Sequence, residues 1–207
     1  NICFTMSKSA AAITDDALEA ASDIALEAIP EVLPGIELSQ QQWEALQALE
    51  AFVNSDDKIY LLTGYAGTGK TTLLQALIAR LQQQYDGRPI ALTALSNKAT
   101  KVLQAMAYRW GCEVDCMPCC KLLGLKPVID KETGGQKFEP DRDRKNLTTE
   151  YDLVVVDECS MINQDMWELL VSSVSKFTDR TQLLFVGDSA QLPPVGEEKS
   201  PCFDFIY

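Results

Sequence analysis

Histidine is absent from the 207 residues, which removes both the commonest metal ligand and the commonest general base near neutral pH. Any chemistry must therefore run on carboxylates, amides, lysine, hydroxyls or an external metal ion. Also missing is any apolar run near the ~18 residues that a membrane helix needs, and no apolar stretch of signal-peptide length precedes Asp15 and Asp16. These absences predict a soluble, unexported, cytoplasmic chain with no membrane partner. Bases are scarce as well: 18 Lys and Arg stand against 30 Asp and Glu, a net charge of −12. Such a balance argues against a protein that coats nucleic acid by charge alone.

What is present reads as an ordinary globular domain, 46% hydrophobic and 23% charged. The acidity is uneven. Residues 1–37 carry seven acids (Asp15, Asp16, Glu19, Asp23, Glu27, Glu31, Glu37) against Lys8, which is half of the net charge. Between Arg88 and Lys121 the sign reverses, with Arg88, Lys98, Lys101, Arg109 and Lys121 against Glu113 and Asp115. Seven cysteines, an odd number in a chain large enough to need no staples, predict reduced thiols. Cys112, Cys116, Cys119 and Cys120 are crowded, but they lack the separated pair of knuckles of a structural zinc site, so free thiols are expected there too.

Periodicity divides the chain at about residue 37. The acidic, Ala-rich front (1–36) suggests a helix from Asp15 to Ile29 capped by Thr14, or partial disorder, with the first five residues vector-derived or an upstream extension. Thereafter the pattern predicts a helix over 40–53 with Ser39 as N-cap, strands at 59–63 and 90–94, and helices from about Lys70 to Tyr85 and over 98–110. Two continuous apolar strands, 153–156 and 183–186, flank a helix over 164–177. A turn signal at 131–135 suggests a β-hairpin over about 128–141. Strands apolar on both sides and alternating with helices imply an α/β fold, a parallel sheet with helices on both faces.

Between the first of these strands and its helix lies Gly64-Tyr65-Ala66-Gly67-Thr68-Gly69-Lys70-Thr71, a P-loop (Walker A) match in the strand-to-helix context that gives it meaning. Glycines let successive N–H groups curl around phosphate oxygens, and the helix N-terminus adds its positive end. The predicted nucleotide contacts are Gly64, Ala66, Gly67, Thr68, Gly69, Lys70, Thr71 and Thr72, with Lys70 on the β and γ phosphates and Thr71 on Mg²⁺. A P-loop also needs a carboxylate at the end of a neighbouring strand. Asp157, right after Leu153-Val154-Val155-Val156, fits that Walker B role as the second Mg²⁺ ligand, with Glu158 as base or orienter of the attacking water.

With Gln42 upstream, Asp157-Glu158-Cys159-Ser160-Met161 behind, and Gly187-Asp188-Ser189-Ala190-Gln191-Leu192-Pro193-Pro194 after the last strand, residues 37–207 resemble the superfamily 1 DNA helicases of the RecD-like and Dda-like branch. The resemblance implies a RecA-like ATP-binding domain with a 1B-like hairpin insertion at 127–150, whose cofactors are ATP and Mg²⁺ and whose partner is single-stranded DNA. It implies that Gln42 reads the adenine edge, that Gln191 contacts the γ-phosphate alongside Lys70, Asp157 and Glu158, and that Ser96, Asn97, Lys98, Lys101 and Pro193 meet the DNA. Phe138 would either stack on a base from the hairpin or pack locally on a solvated surface hairpin. The segment Thr93-Ala94-Leu95-Ser96 departs from the family's Thr-Ala-Pro-Thr, and Pro118-Cys119-Cys120 stands where Thr-Ile-His is usual.

Such helicases work with two RecA-like domains, the second of which supplies an arginine to the γ-phosphate. The chain as given is expected to lack that second domain, to bind Mg-ATP, to hydrolyse it weakly and not to unwind DNA. If functional, the motor would move 5′ to 3′. The competing reading is a standalone nucleotide switch or a small-molecule kinase; a kinase needs an arginine-rich acceptor lid, and the arginines here are few and dispersed.

Overall fold

The strands Ile59–Gly64 (β2), Ile90–Ala94 (β3), Leu153–Val156 (β7) and Gln182–Gly187 (β8) are buried at every residue. A strand hidden on both sides must be covered by helices on both sides. In the computed structural model, which describes residues 2–5, 37–84, 87–129, 136–177 and 180–204, that requirement is met. With Ile2–Thr5 as β1 and Asp115–Pro118 as β4, the main sheet runs β1-β2-β8-β7-β3-β4. The β2·β8, β7·β8, β3·β7 and β3·β4 pairs are all parallel. Ile2–Thr5 (β1) adds an antiparallel strand to the outer edge of β2, so these four residues ahead of Met6 pair with the sheet. The proposed helix over 15–29 lies outside the described residues.

Alternation along each strand sorts the side chains between two cores. Tyr60, Leu62, Leu92, Val155, Leu184 and Val186 face the layer formed by the helices Gln40–Val53 (α1), Lys70–Gln84 (α2) and Asn97–Trp110 (α3). Leu61, Ala91, Val154, Val156, Leu183 and Phe185 face the other layer, formed by the four-residue helix Cys119–Leu122 (α4) and Gln164–Phe177 (α5). On that side Trp167 packs on Phe185 with ring centroids 5.0 Å apart. The result is a doubly covered parallel sheet, as the continuous apolar strands predict.

Two elements differ from expectation. Asp115–Pro118 (β4) forms the far parallel edge beside β3, where the sequence suggests only a connection. In addition, β8 starts one residue early at Gln182, a polar residue buried because its amide donates to the carbonyls of Phe52, Ser55 and Asp57. The hairpin is formed by Leu125–Ile129 (β5) and Gln136–Pro140 (β6), with Pro127 opposite Phe138. Its turn, and Tyr85 at the expected end of α2, lie outside the described residues. Among the described residues no helix is long and apolar enough to cross a membrane.

Candidate nucleotide and strand site

The loop between β2 and α2 is held by its own backbone. Thr68 donates from its N–H (3.2 Å) and its Oγ1 (2.8 Å) to the Tyr65 carbonyl. Gly67 and Gly69 take φ of 80° and 85°, the left-handed region that side chains disfavour. A Cβ on Gly69 would also collide with Gln42 Nε2. Lys70 folds back over the loop, and its ammonium donates to the carbonyls of Gly64 and Tyr65 (3.1 Å). No acid occupies the first turn of α2, so the positive end of that helix is uncompensated. Thr71 is exposed and Thr72 half-buried.

Gln42 joins this loop to α1. Its Oε1 accepts from the Ser39 N–H (2.9 Å) while Ser39 Oγ accepts from the Gln42 N–H, a capping box. Its Nε2 donates to the Thr68 carbonyl (3.1 Å). One N–H and one lone pair of the amide remain.

The strand carrying Asp157 is not hydrogen-bonded to β2, contrary to the expectation of a neighbouring strand: β8 runs between them. Strand order in a parallel sheet is set by the crossovers, which the local sequence does not encode. Lys70 nevertheless acts on Asp157. Burial raises the Asp157 pKa above the ordinary carboxylate value; the Glu158 backbone N–H lowers it, the Glu158 carboxylate raises it, and the Lys70 charge lowers it. The Asp157 N–H is tied to the Thr93 carbonyl (2.9 Å) at the end of β3.

Glu158 follows in the left-handed region, φ 53°, the only non-glycine with positive φ among the described residues. Its side chain is exposed. This conformation swings the chain into the 3₁₀ turn Cys159–Met161, where Cys159 is buried under β8. A Cβ on Gly187 would come within 2.5 Å of the Cys159 sulfur, so glycine there is a requirement of close approach. Ser160 donates to Gln191 Oε1 (3.2 Å), and the Gln191 N–H is held by the Asp188 carbonyl (3.1 Å).

On the other side of this turn lies an open groove of about 750 Å³. Of the six residues expected to meet DNA, Ser96, Asn97, Phe138 and Pro193 line it together with Cys120 and Met161. Lys98 and Lys101 are exposed on α3 but do not line it. Ser96 is the N-cap of α3, its Oγ accepting from the Ala99 N–H (3.0 Å). Phe138 is half-buried and packs against the second core while lining the groove. The sequence marks Ser160 and Met161 only as members of the run behind Asp157, with no role of their own, and does not mark Asn163, which lines the groove with Met161; its position just behind that run is the signal that points to it.

A hydroxyl at Thr71 and a carboxylate at Asp157 are hard oxygen donors of the kind Mg²⁺ prefers, and Mg²⁺ commonly takes one or two protein ligands plus phosphate oxygens. Asp157 is half-buried and feels the Lys70 charge from the loop, so the residues fit the ion. Elsewhere, no three His, Cys, Asp or Glu side chains among the described residues are grouped to hold a metal. Cys112, Cys116, Cys119, Cys120, Cys159 and Cys202 are free, and burial pushes the Cys119 thiol up to about 12.

Comparison with known proteins places this geometry in a family. The AAA domain family matches residues 37–202. The chain is 33% identical over 177 residues to the uncharacterized protein R530 of Acanthamoeba polyphaga mimivirus, covering 81% of this chain and 35% of that protein. It is 32% identical over 193 residues to the RecBCD enzyme subunit RecD of Mycolicibacterium smegmatis, covering 88% and 33%. With the ATP-dependent DNA helicase PIF1 of Emericella nidulans it shares 29% identity over 72% of this chain and 20% of that protein. The chain thus spans about a third or less of the length of these relatives. The fold is shared with a Pif1 helicase from Bacteroides solved with ADP-AlF3 and single-stranded DNA, at a TM-score of 0.51 and 20% identity, over 79% of this chain and 35% of that one. By these matches the chain belongs to the AAA domain family, as a motor domain of the superfamily 1 RecD-like and Pif1-like helicase type.

Proposed function

We propose that the chain is the ATP-binding motor domain of a DNA helicase. It holds Mg-ATP between the P-loop and Asp157, holds single-stranded DNA along the groove, and couples hydrolysis to 5′ to 3′ movement and duplex unwinding. The single observation that carries the coupling is the five-residue stretch Asp157 to Met161. Its first residue feels the Lys70 charge and its last lines the groove.

In this reading the backbone N–H groups of residues 64–72 and the Lys70 ammonium bind the phosphates. Lys70 exchanges its bonds to the Gly64 and Tyr65 carbonyls for phosphate oxygens. Thr71 and Asp157 hold Mg²⁺, which supplies charge neutralisation at the phosphates when bound. Glu158 takes the proton of the attacking water, the kind of role worth roughly 10²–10⁴ in rate. Gln42 offers adenine the N–H and lone pair left after its bonds to Thr68 and Ser39. Because Gln191 Oε1 accepts from Ser160, its NH₂ group is left to donate to the γ-phosphate. Ser96, Asn97, Lys98, Lys101, Phe138 and Pro193 contact the strand, whose polarity follows from the family resemblance.

The matched stretch makes up about a third or less of each relative, and full activity needs an arginine from a second RecA-like domain in the same polypeptide, worth roughly 10³–10⁵ in rate. The 207 residues alone bind Mg-ATP, hydrolyse it slowly and do not unwind. Two measurements test this. Calorimetry should find ATP affinity in the chain and none in Lys70→Ala; equal affinity in both would end the nucleotide reading. ATPase rates with and without oligothymidylate, on this chain and on a longer one from the same reading frame, should rise with DNA in the longer chain. No stimulation there would leave a nucleotide switch.

A further inference from the structure

A second cavity, of about 410 Å³, is lined by Lys121, Arg144, Lys145 and Leu147, with no acid among its lining residues. That is unusual in a chain of net charge −12. Its walls are fixed by backbone contacts. Gly124, at φ 66°, is pressed against the Lys145 backbone so closely that a Cβ would lie 2.8 Å from the Lys145 carbonyl carbon and oxygen. The Leu147 N–H donates to the Leu122 carbonyl (2.7 Å) and the Asp141 N–H to the Gly124 carbonyl (2.9 Å). The strap 141–147 is thereby pinned to the turn after α4, and its cations are set beside Lys121.

The charges are available. Lys121 is exposed and makes no ion pair among the described residues. Arg144, 55% exposed, pairs with Asp141, 16% exposed, while Lys145 and Glu150 pair through side chains 74% and 52% exposed. The exposed Lys145 pair is weak, so an arriving phosphate displaces it at little cost, and Arg144 keeps its exposed guanidinium edge for a second acceptor. Position supplies the second argument. Within α4, Cys120 lines the strand groove and the next residue, Lys121, lines the basic cavity, so the two sites lie on either side of one helical turn.

We propose that this cavity is a second nucleic-acid site, in which Lys121, Arg144 and Lys145 bind backbone phosphates of the strand beyond the stretch held in the groove. The groove supplies apolar surfaces for bases and the cavity supplies charge without base contacts, so the second site adds affinity without sequence preference. The inference rests on the strand reading of the groove, and the test separates the two.

Fluorescence anisotropy with oligothymidylates of about 6 and about 20 nucleotides, lengths that bracket a single-groove footprint, compares the chain with Lys121→Ala/Arg144→Ala/Lys145→Ala. The longer strand should bind about tenfold more weakly, and its log–log salt dependence should become shallower by about 2, near 0.7 for each phosphate no longer neutralised. The shorter strand should change by less than about twofold. Lys121→Arg/Arg144→Lys/Lys145→Arg should keep both affinities. If the triple alanine variant does not fold by circular dichroism, the single Lys121→Glu variant takes its place, with the same preferential weakening for the long strand. Unchanged binding of the long strand, or equal weakening for both lengths, overturns the second site while the groove reading survives. A parent chain that binds neither strand overturns both.

Discussion

Ser160 Oγ donates to Gln191 Oε1 at 3.2 Å, tying the turn that leaves β7 to the turn that leaves β8. Ser160 sits between Glu158, on the nucleotide side, and Met161, on the groove. Gln191 precedes Pro193, which lines the same groove. A single hydrogen bond therefore links the two segments that would sense the nucleotide and the strand.

Removing this bond should separate binding from coupling. Ser160→Ala should leave ATP affinity within about threefold, because a neutral hydrogen bond contributes only ~1 kcal/mol and the P-loop and Asp157 are unchanged. DNA stimulation of the ATPase, measured on a longer chain from the same frame, should fall by about fivefold or more. Full stimulation in Ser160→Ala would show that the bond is structural only.

Glu158 holds a left-handed backbone, φ 53°, that is costly for a residue with a Cβ. Glycine relieves the strain and also deletes the carboxylate. Glu158→Gly should therefore raise stability by about 1 kcal/mol, a shift of roughly 2–4 °C in a domain this size, while lowering ATP hydrolysis by about a hundredfold or more. A variant that loses both stability and activity would show that the turn depends on the Glu158 side chain.

Much of this geometry is legible in the sequence, and the exceptions have physical causes. Leu153–Val156 and Ile90–Ala94 announce themselves because burial on both faces demands unbroken apolar runs. By contrast, β4 is Asp115-Cys116-Met117-Pro118, an edge strand with only Met117 buried, so it carries no apolar run to read. Gln182 is polar and buried for a tertiary reason, three carbonyls contributed by residues more than 120 positions away. The P-loop is readable because its chemistry is local. The groove is not: Cys120, Phe138, Met161 and Pro193 come from four segments that only the fold brings together.

Two P-loop glycines distinguish conformational strain from steric conflict. A Cβ on Gly67 meets nothing within 4 Å, whereas one on Gly69 collides with Gln42 Nε2, and both residues have positive φ. Gly67→Ala should cost about 1–2 kcal/mol from backbone strain alone. Gly69→Ala should cost more and also disturb the Gln42 bond to Thr68. Adding Gln42→Ala should recover part of the stability lost in Gly69→Ala and none of that lost in Gly67→Ala. Chemical denaturation of the parent, the two glycine variants, Gln42→Ala and the two double variants closes both cycles; equal behaviour of the two glycines would refute the contact.

Asp157 sets the final prediction through its raised pKa. In the window between the ordinary carboxylate value near 4 and the raised folded value, the native state holds a proton that the unfolded state has released. Stability from this group is thus full below the unfolded pKa and falls as pH climbs through the folded one. Asp157→Asn cannot titrate, so without nucleotide its thermal midpoint should gain on the parent chain as pH rises from about 4 to about 7. With Mg-ATP at about 100 times its dissociation constant the order should reverse. The parent then gains ~2.7 kcal/mol, roughly 5–10 °C in a domain of this size, while Asp157→Asn gains little. Chelating Mg²⁺ should remove most of the parent's gain. An Asp157→Asn protein stabilised by Mg-ATP as strongly as the parent would show that the carboxylate does not hold the ion.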